Sequence, residues 1–285
     1  MMTRGRCVAD VKNIAKKRRI KSRHDRSKSG EHKSKRSRNT TNNTSVNDVE
    51  ADKYSLIACG SFNPITNMHL RMFEVAKDYI KYTLNAEVSV GLVSPVSDGY
   101  KKQGLEISSH RNKMCSLAIK SNNWLEVSRW ESNQKSWTPT IEVLRNAKNN
   151  LKVNNNLSKL MLLCGSDFFE SFNRPGLWLA EDIKAIINEF GLLVIERPGY
   201  DSARIMADNT MLSELRDSIH IITDPINNDT SSTVVRRALR KKESIKYLTP
   251  DSVIDYIMKH NLYSTEESEN KNASEVLAPY QDHTS

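Results

Sequence analysis

The chain has 285 residues, 38% of them apolar, enough for one large domain or two small ones. Its formal charge of +9 sits at one end: residues 1–50 hold 15 Lys/Arg against 5 Asp/Glu, and the other 235 hold 28 against 29. A near-neutral body excludes a dedicated, specific nucleic-acid-binding surface, and no apolar run reaches the ~20 residues that a membrane span needs.

Residues 1–50 are rich in Lys, Arg, Ser, Asn and Thr, and large apolar residues almost vanish after Ile20. Such a segment buries too little surface to offset its ordering entropy, so a disordered basic tail is expected. Lys16 to Lys21 and Lys33 to Arg36 read as nuclear-localisation clusters, or as a non-specific polyanion arm. Residues 1–23, with Asp10 as their one acid, also fit a mitochondrial presequence. The nucleus is the expected address and the mitochondrion the alternative, although a solvated tail without an address would look the same. No apolar stretch of a secretory signal is present. Cys7, Cys59, Cys115 and Cys164 form no C-x-x-C and no metal-ligand spacing; Cys59 and Cys164 end apolar runs, as reduced core cysteines of an intracellular protein would.

From Tyr54 onward, buried-strand patterns alternate with helical ones. Tyr54 to Cys59 is a short apolar run suited to a strand covered on both faces. Gly60 lets the backbone approach a ligand, and Asn63-Pro64 marks a turn. Met68, Leu70, Phe73, Val75, Ala76, Tyr79 and Ile80 then recur at helical spacing behind Asn67 or Thr66 as N-cap. A glycine-containing strand-to-helix turn aims backbone N–H groups and the helix N-terminus at one spot, which favours an anion. His69 adds a side-chain donor there. An ordinary βα turn with an exposed histidine would share these features, and neither G-x-G-x-x-G nor G-x-x-x-x-G-K-[ST] is present.

Glu87 to Ser94 is a second strand, followed by a polar loop carrying Lys101-Lys102. A helix is expected over Ser108–Ser121, capped by Ser108 or Ser109, with Met114, Leu117 and Ala118 inward. Trp124–Val127 reads as a short strand, and Thr140–Asn150 as a helix with Ile141, Leu144 and Ala147 on one face. The Asn-rich 148–158 stretch reads as a linker or exposed insertion. Lys159 to Gly165 repeats the opening pattern and ends in Gly165-Ser166-Asp167. Asp182–Glu189 is helical, Gly191 to Glu196 is a strand ending before Arg197, and Ile219 to Ile222 is the last strand. Ser231–Arg240 and Pro250–His260 are helices, the second with Val253, Ile254, Ile257 and Met258 inward. This alternation predicts an α/β fold, a Rossmann-like doubly wound parallel sheet with helices on both faces. Ligands of such sheets bind beyond the carboxyl ends of the strands. Residues 51–263 form this domain, and 264–285 read as a flexible C-terminal tail.

Several pieces converge on phosphate. Lys101-Lys102 place ammonium groups on a glycine-flanked loop, where a polyphosphate is within reach. Ser231-Ser232-Thr233 open a helix, with hydroxyls and free N–H groups at the positive end of its dipole and Arg236 one turn in. Phe62, Trp137 and Trp178 offer flat surfaces for a base or a pyridine ring, although each alone fits a core aromatic equally well.

Gly60-Ser61-Phe62-Asn63-Pro64 with Thr66-Asn67-Met68-His69, and Ser231-Ser232-Thr233 with Arg236, resemble the (H/T)-x-G-H and I-S-S-T-x-x-R signatures of the nucleotidyltransferase superfamily. Trp130-Glu131-Ser132, Leu163 to Asp167, Leu177-Trp178 and Tyr247-Leu248 narrow the likeness to the eukaryotic nicotinamide mononucleotide adenylyltransferases, from about Tyr54 to about Tyr263. Met68 stands where the superfamily motif has glycine, as eukaryotic members commonly do. Thr230 replaces the isoleucine before the two serines, and Gln103 follows Lys101-Lys102 in the lysine loop.

The resemblance implies adenylyl transfer from ATP to nicotinamide mononucleotide, and to nicotinate mononucleotide, with Mg²⁺ carried by the ATP phosphates and no metal site in the protein. It assigns Gly60, Ser61 and Phe62 to the dinucleotide, with Gly60 cradling phosphate. His69, Lys102 and Arg236 form the catalytic set, and Ser232 and Thr233 join Arg236 on the triphosphate. Trp137, Thr140, Leu177 and Trp178 take the nicotinamide end, and Gly165, Asp167, Arg197 and Asn228 complete the nucleotide pockets. Relatives range from monomers to larger homo-oligomers, so a homo-oligomer stays open. Two rival readings remain. One is another nucleotidyltransferase of this fold, using phosphopantetheine or phosphocholine; the other is a chaperone-like, polyanion-binding protein with a vestigial site.

Overall fold

The computed structural model describes residues 52–272; the basic tail read at 1–50 and residues 273–285 lie outside the described residues. Six parallel strands form one sheet in the order β3-β2-β1-β4-β5-β6. They are β1 (Lys53–Gly60), β2 (Glu87–Pro95), β3 (Leu125–Val127), β4 (Lys159–Gly165), β5 (Leu192–Ile195) and β6 (Ile219–Ile222). The strands read as unbroken apolar runs because both faces are covered. Leu56, Ala58, Met161, Leu163, Leu193 and Ile195 point to one side, against α1 (Asn67–Tyr82), α2 (Ser108–Ala118), α8 (Ser232–Arg240) and α9 (Asp251–Lys259). Ile57, Leu160, Leu162, Cys164, Leu192 and Val194 point to the other, against α3 (Thr140–Val153), α4 (Ser166–Glu170), α5 (Ala180–Phe190) and α7 (Thr210–Glu214). Ile57 is paired with both Leu92 and Leu162 at the centre of the sheet. The doubly wound reading therefore holds. Among the described residues no helix is long and apolar enough to cross a membrane.

Four details differ from the sequence reading. Neither Ser108 nor Ser109 caps α2: its N-cap position is Ile107, and Asp98 accepts from both the N–H and the hydroxyl of Ser108, at 2.7 and 3.0 Å. A carboxylate ten residues upstream does the capping, which local pattern cannot reveal. Residues 148–153 are not linker but the last turns of α3, held by buried Leu151. Met258 is 55% exposed and faces solvent. The 264–285 segment is not a loose tail throughout. Its described part forms α10 (Glu266–Asn270), preceded by α6 (Ser202–Ala207) among the short helices that the sequence reading passed over. Glu269 pairs with Arg240 at 2.7 Å, and Lys271 with Glu106 at 3.1 Å.

Candidate active site

The sheet order reverses between β1 and β4, so their carboxyl ends diverge and leave a crevice there. A cleft of about 700 Å³ occupies it. Gly60, Ser61, Phe62, His69, Lys102, Trp137, Thr140, Gly165, Asp167, Leu177, Trp178 and Arg197 all line it, drawn from seven separate stretches of chain. A smaller concavity of about 440 Å³ lies at the opposite, amino-terminal edge of the sheet, by Lys148, Lys159 and His220, and neither signature reaches it.

His69 owes its state to the helix that carries it. Thr66 is the N-cap of α1 and accepts from the His69 N–H, while the Thr66 N–H reaches back to His69 Nδ1 at 3.0 Å. This is a capping box in which histidine takes the place usually held by Glu or Gln. A backbone N–H can only donate, so Nδ1 must accept, and the ring proton lies on Nε2. Burial first, and then the Arg197 charge, lower its pKa to about 4, with Asp167 opposing. The imidazole is thus a neutral donor at pH 7. Phe62, at φ +44°, turns its buried ring edge-on to His69 with centroids 5.2 Å apart. Burial of that ring holds a backbone conformation that costs a non-glycine residue about 1–3 kcal/mol.

The second signature is knitted to the first. Ser231 caps α8 through the Val234 N–H, as its sequence suggests. Ser232 donates to the Pro64 carbonyl at 2.8 Å, and Arg236 Nη1 to the Asn63 carbonyl at 2.8 Å. Arg236 Nη2 reaches Thr233 Oγ1 at 3.3 Å. Ser232, Thr233, Arg236 and Asn228 therefore flank the cleft rather than line it. Asn228 accepts from the Thr230 N–H and shapes the turn into α8. Arg71 of α1 grips Asp224 with two hydrogen bonds, 2.9 and 3.1 Å, and so fixes where the strand β6 hands over to that turn.

Arg197 and Asp167 form an ion pair at 3.0 Å across the ends of β4 and β5. A Cβ on Gly165 would fall 2.5 Å from the Asp167 carboxylate and 2.9 Å from Arg197 Cδ, so glycine is what allows the pair to close over the strand end. Arg197 Nε is buried without a partner, a donor available to an anion. Lys102 is pulled below its ordinary pKa, first by burial and then by the Arg236 charge, with Asp167 opposing. Among the described residues no group of three His, Cys, Asp or Glu side chains comes together as a metal site would.

The lysine loop is held from beneath by Arg111, a fully buried guanidinium on α2. Its Nε donates to the Glu106 carbonyl at 2.7 Å, Nη1 to Ser61 at 3.0 Å, and Nη2 to Val96 at 2.7 Å and to Asp98 Oδ1 at 3.0 Å. One side chain thus pins both ends of the loop and the Gly60 turn. Asn63 ties the same parts from above: its amide donates to Gly104, and its Oδ1 accepts from the Glu106 N–H and the Tyr263 hydroxyl. The described C-terminal residues finish the lashing, with Lys271 accepting from the Gly104 N–H and Asn272 donating to the Lys102 carbonyl. Gly99 meets residues 136–137 so closely that a Cβ would lie 2.7 Å from the Trp137 nitrogen. That contact joins the lysine loop to the segment bearing Trp137.

Aromatic groups form the remaining wall. Trp178 donates to Ser171 Oγ at 3.0 Å and stands edge-on to Phe168 and Phe172. Tyr100 and Glu131 also line the cleft. Glu131, Tyr100, Arg111 and Arg174 escaped assignment from sequence. Tyr100 adjoins the lysines and was within reach of the same argument. A burial pattern gives no sign of a buried arginine or glutamate.

Residues 57–238 match the cytidylyltransferase-like family model. The chain is 43% identical over 277 residues to a nicotinamide/nicotinic acid mononucleotide adenylyltransferase 1 of Bos taurus, covering 84% of this chain and 98% of the relative. A nicotinamide/nicotinic acid mononucleotide adenylyltransferase of Oryza sativa subsp. japonica is 43% identical over 212 residues, covering 73% and 85%. Among solved structures, a Plasmodium falciparum nicotinic acid mononucleotide adenylyltransferase complexed with NaAD shares the fold, with a TM-score of 0.55 at 24% identity over 74% of this chain and 97% of that one.

Proposed function

Because the chain belongs to the nicotinamide/nicotinic acid mononucleotide adenylyltransferases, within the cytidylyltransferase-like family, we propose that its cleft joins ATP to nicotinamide or nicotinate mononucleotide. The products are NAD or its deamido form, and pyrophosphate. The mononucleotide's 5′-phosphate is already an anion at neutral pH and needs no general base. One of its oxygens attacks the α-phosphorus of ATP, the bond to the β-phosphate oxygen breaks, and pyrophosphate leaves with the electron pair. Catalysis then consists of positioning and electrostatic stabilisation.

The observation that carries this reading is the closure of the two signatures on one another, Arg236 onto the Asn63 carbonyl and Ser232 onto that of Pro64, beside a cleft holding His69, Lys102 and Arg197. In this reading His69 donates its Nε2–H to a phosphate oxygen without carrying charge. Lys102, Arg197 and Arg236 supply the positive field, and the α8 N-terminus adds N–H groups. Mg²⁺ enters as part of the substrate, MgATP. Trp137 and Trp178 take the pyridine ring, and their aromatic wall favours a mononucleotide over phosphopantetheine or phosphocholine, which have no such ring. The basic tail directs the protein to the nucleus; a fluorescent fusion of residues 1–50 that spread evenly or entered mitochondria would end that part.

The test follows product formation by a coupled dehydrogenase, with MgATP and each mononucleotide. NAD formation that falls about 10²–10³-fold on Arg236→Ala supports the reading. No product from folded protein with either mononucleotide overturns it.

A further inference from the structure

Two carboxyl groups line the cleft among the described residues, Asp167 and Glu131. Asp167 is neutralised by Arg197. Glu131, 4% exposed, instead receives a hydroxyl: Ser94 Oγ donates to its Oε2 at 2.6 Å. The groups that face it come from four elements: Cys59 on β1, Ser94 on β2, Tyr100 on the turn before the lysines, and Arg111 on α2, whose guanidinium is hydrogen-bonded to Ser61, Val96, Glu106 and Asp98. A carboxyl in a phosphate-binding cleft cannot face the phosphates without repulsion. Together with the aromatic wall, it therefore belongs to the pyridinium end of the substrate, where the ring nitrogen carries a positive charge. At that end the two mononucleotides differ in a single group, a carboxamide or a carboxylate.

We propose that Glu131 reads that group: ionised, its Oε1 accepts from the N–H of nicotinamide mononucleotide, and protonated at Oε1 it donates to the carboxylate of nicotinate mononucleotide. The inference rests on the function proposed above. Ser94 occupies Oε2 as an acceptor, which leaves Oε1 as the oxygen that carries the proton. Burial raises the Glu131 pKa to about 7, against the Ser94 hydrogen bond and the Arg111 charge. Its neighbours do not titrate in that range: burial pushes the Cys59 thiol well up and raises the Tyr100 phenol, and both stay neutral.

The readout is the ratio of kcat/KM for nicotinate over nicotinamide mononucleotide between pH 5.5 and 8.5. Effects on the 5′-phosphate and on MgATP act on both substrates and cancel. In the wild type the ratio falls by up to about tenfold per pH unit as Glu131 ionises. Glu131→Gln, a permanently neutral donor and acceptor, flattens the profile. Ser94→Ala removes a hydrogen bond to the ionised form and moves the midpoint to higher pH, so the inference stays testable if the glutamine variant fails to fold. Activity with both mononucleotides but a pH-independent ratio in the wild type, or one profile shared by all three proteins, overturns this inference alone. Inactivity with both at every pH overturns the proposed function and this inference with it.

Discussion

Arg111→Met removes the guanidinium that supports the lysine loop while keeping most of the side-chain volume. Three backbone carbonyls, those of Ser61, Val96 and Glu106, lose their donor in a place where Arg111 is fully buried. The Asp98 contact counts for little, because that carboxylate is 52% exposed and turns to water. Stranded buried acceptors cost about 1–3 kcal/mol each, offset in part because no guanidinium need be dehydrated. A net loss of about 3–5 kcal/mol follows, and at about 2–4 °C per kcal/mol in a domain of this size Tm falls by about 6–20 °C. The same anchors set the Ser61 backbone and both ends of the Lys102 loop, so kcat/KM for MgATP falls by about 10–100-fold. Arg111→Lys does little better, since an ammonium cannot fork to three carbonyls. Thermal unfolding followed by circular dichroism, with steady-state kinetics at saturating mononucleotide, measures both. A Tm within about 3 °C of wild type with unchanged kinetics refutes the reasoning.

His69→Ala and His69→Gln separate the two jobs of that ring: both lower turnover by about 10²–10³-fold, but only the alanine variant loses the capping box, at about 1 kcal/mol in unfolding experiments. Because the folded pKa of His69 is lowered to about 4 from an ordinary value near 6.5, the folded state binds fewer protons than the unfolded state between those values. Stability is therefore complete above pH 6.5 and declines as pH falls toward 4, a slope that His69→Gln flattens. The Asp224 carboxyl, held below its ordinary value first by the Arg71 hydrogen bonds, contributes stability that is present above about pH 4 and lost as acid protonates it. Arg71→Ala removes that increment at pH 7 and flattens its loss in acid, as urea midpoints followed from pH 7 downward reveal. Ending the chain after Ser264 spares the Tyr263 contact but removes the Glu269, Lys271 and Asn272 tethers. KM for MgATP then rises several-fold while Tm moves by less than about 3 °C, since exposed ion pairs add little.

The strands were legible because a parallel sheet covered on both faces turns each strand into an apolar run, and Leu56 through Ala58 or Leu192 through Ile195 admit no other reading. The two signatures were legible because their chemistry is local: Thr66 and His69 lie one turn apart, as do Ser231 and Val234. What escaped depends on partners distant in sequence. Asp98 caps α2 from ten residues away, Arg111 looks like the solvent face of a helix start, and the polar 265–272 stretch hides the contacts of Glu269 with Arg240 and of Lys271 and Asn272 with the lysine loop. Met258 followed the helical repeat yet faces solvent, since α9 packs through Val253 and Ile257.

The Asn63 side chain and its carbonyl bind Gly104, Glu106, Arg236 and Tyr263, the last 200 residues further along. During synthesis at about 5–20 residues per second, the Gly60 turn therefore waits roughly 10–40 s before its final partner exists. The first part of the cleft to leave the ribosome thus waits longest for its full set of partners. A polypeptide stalled short of Tyr263 would bear both signatures and still lack a finished site.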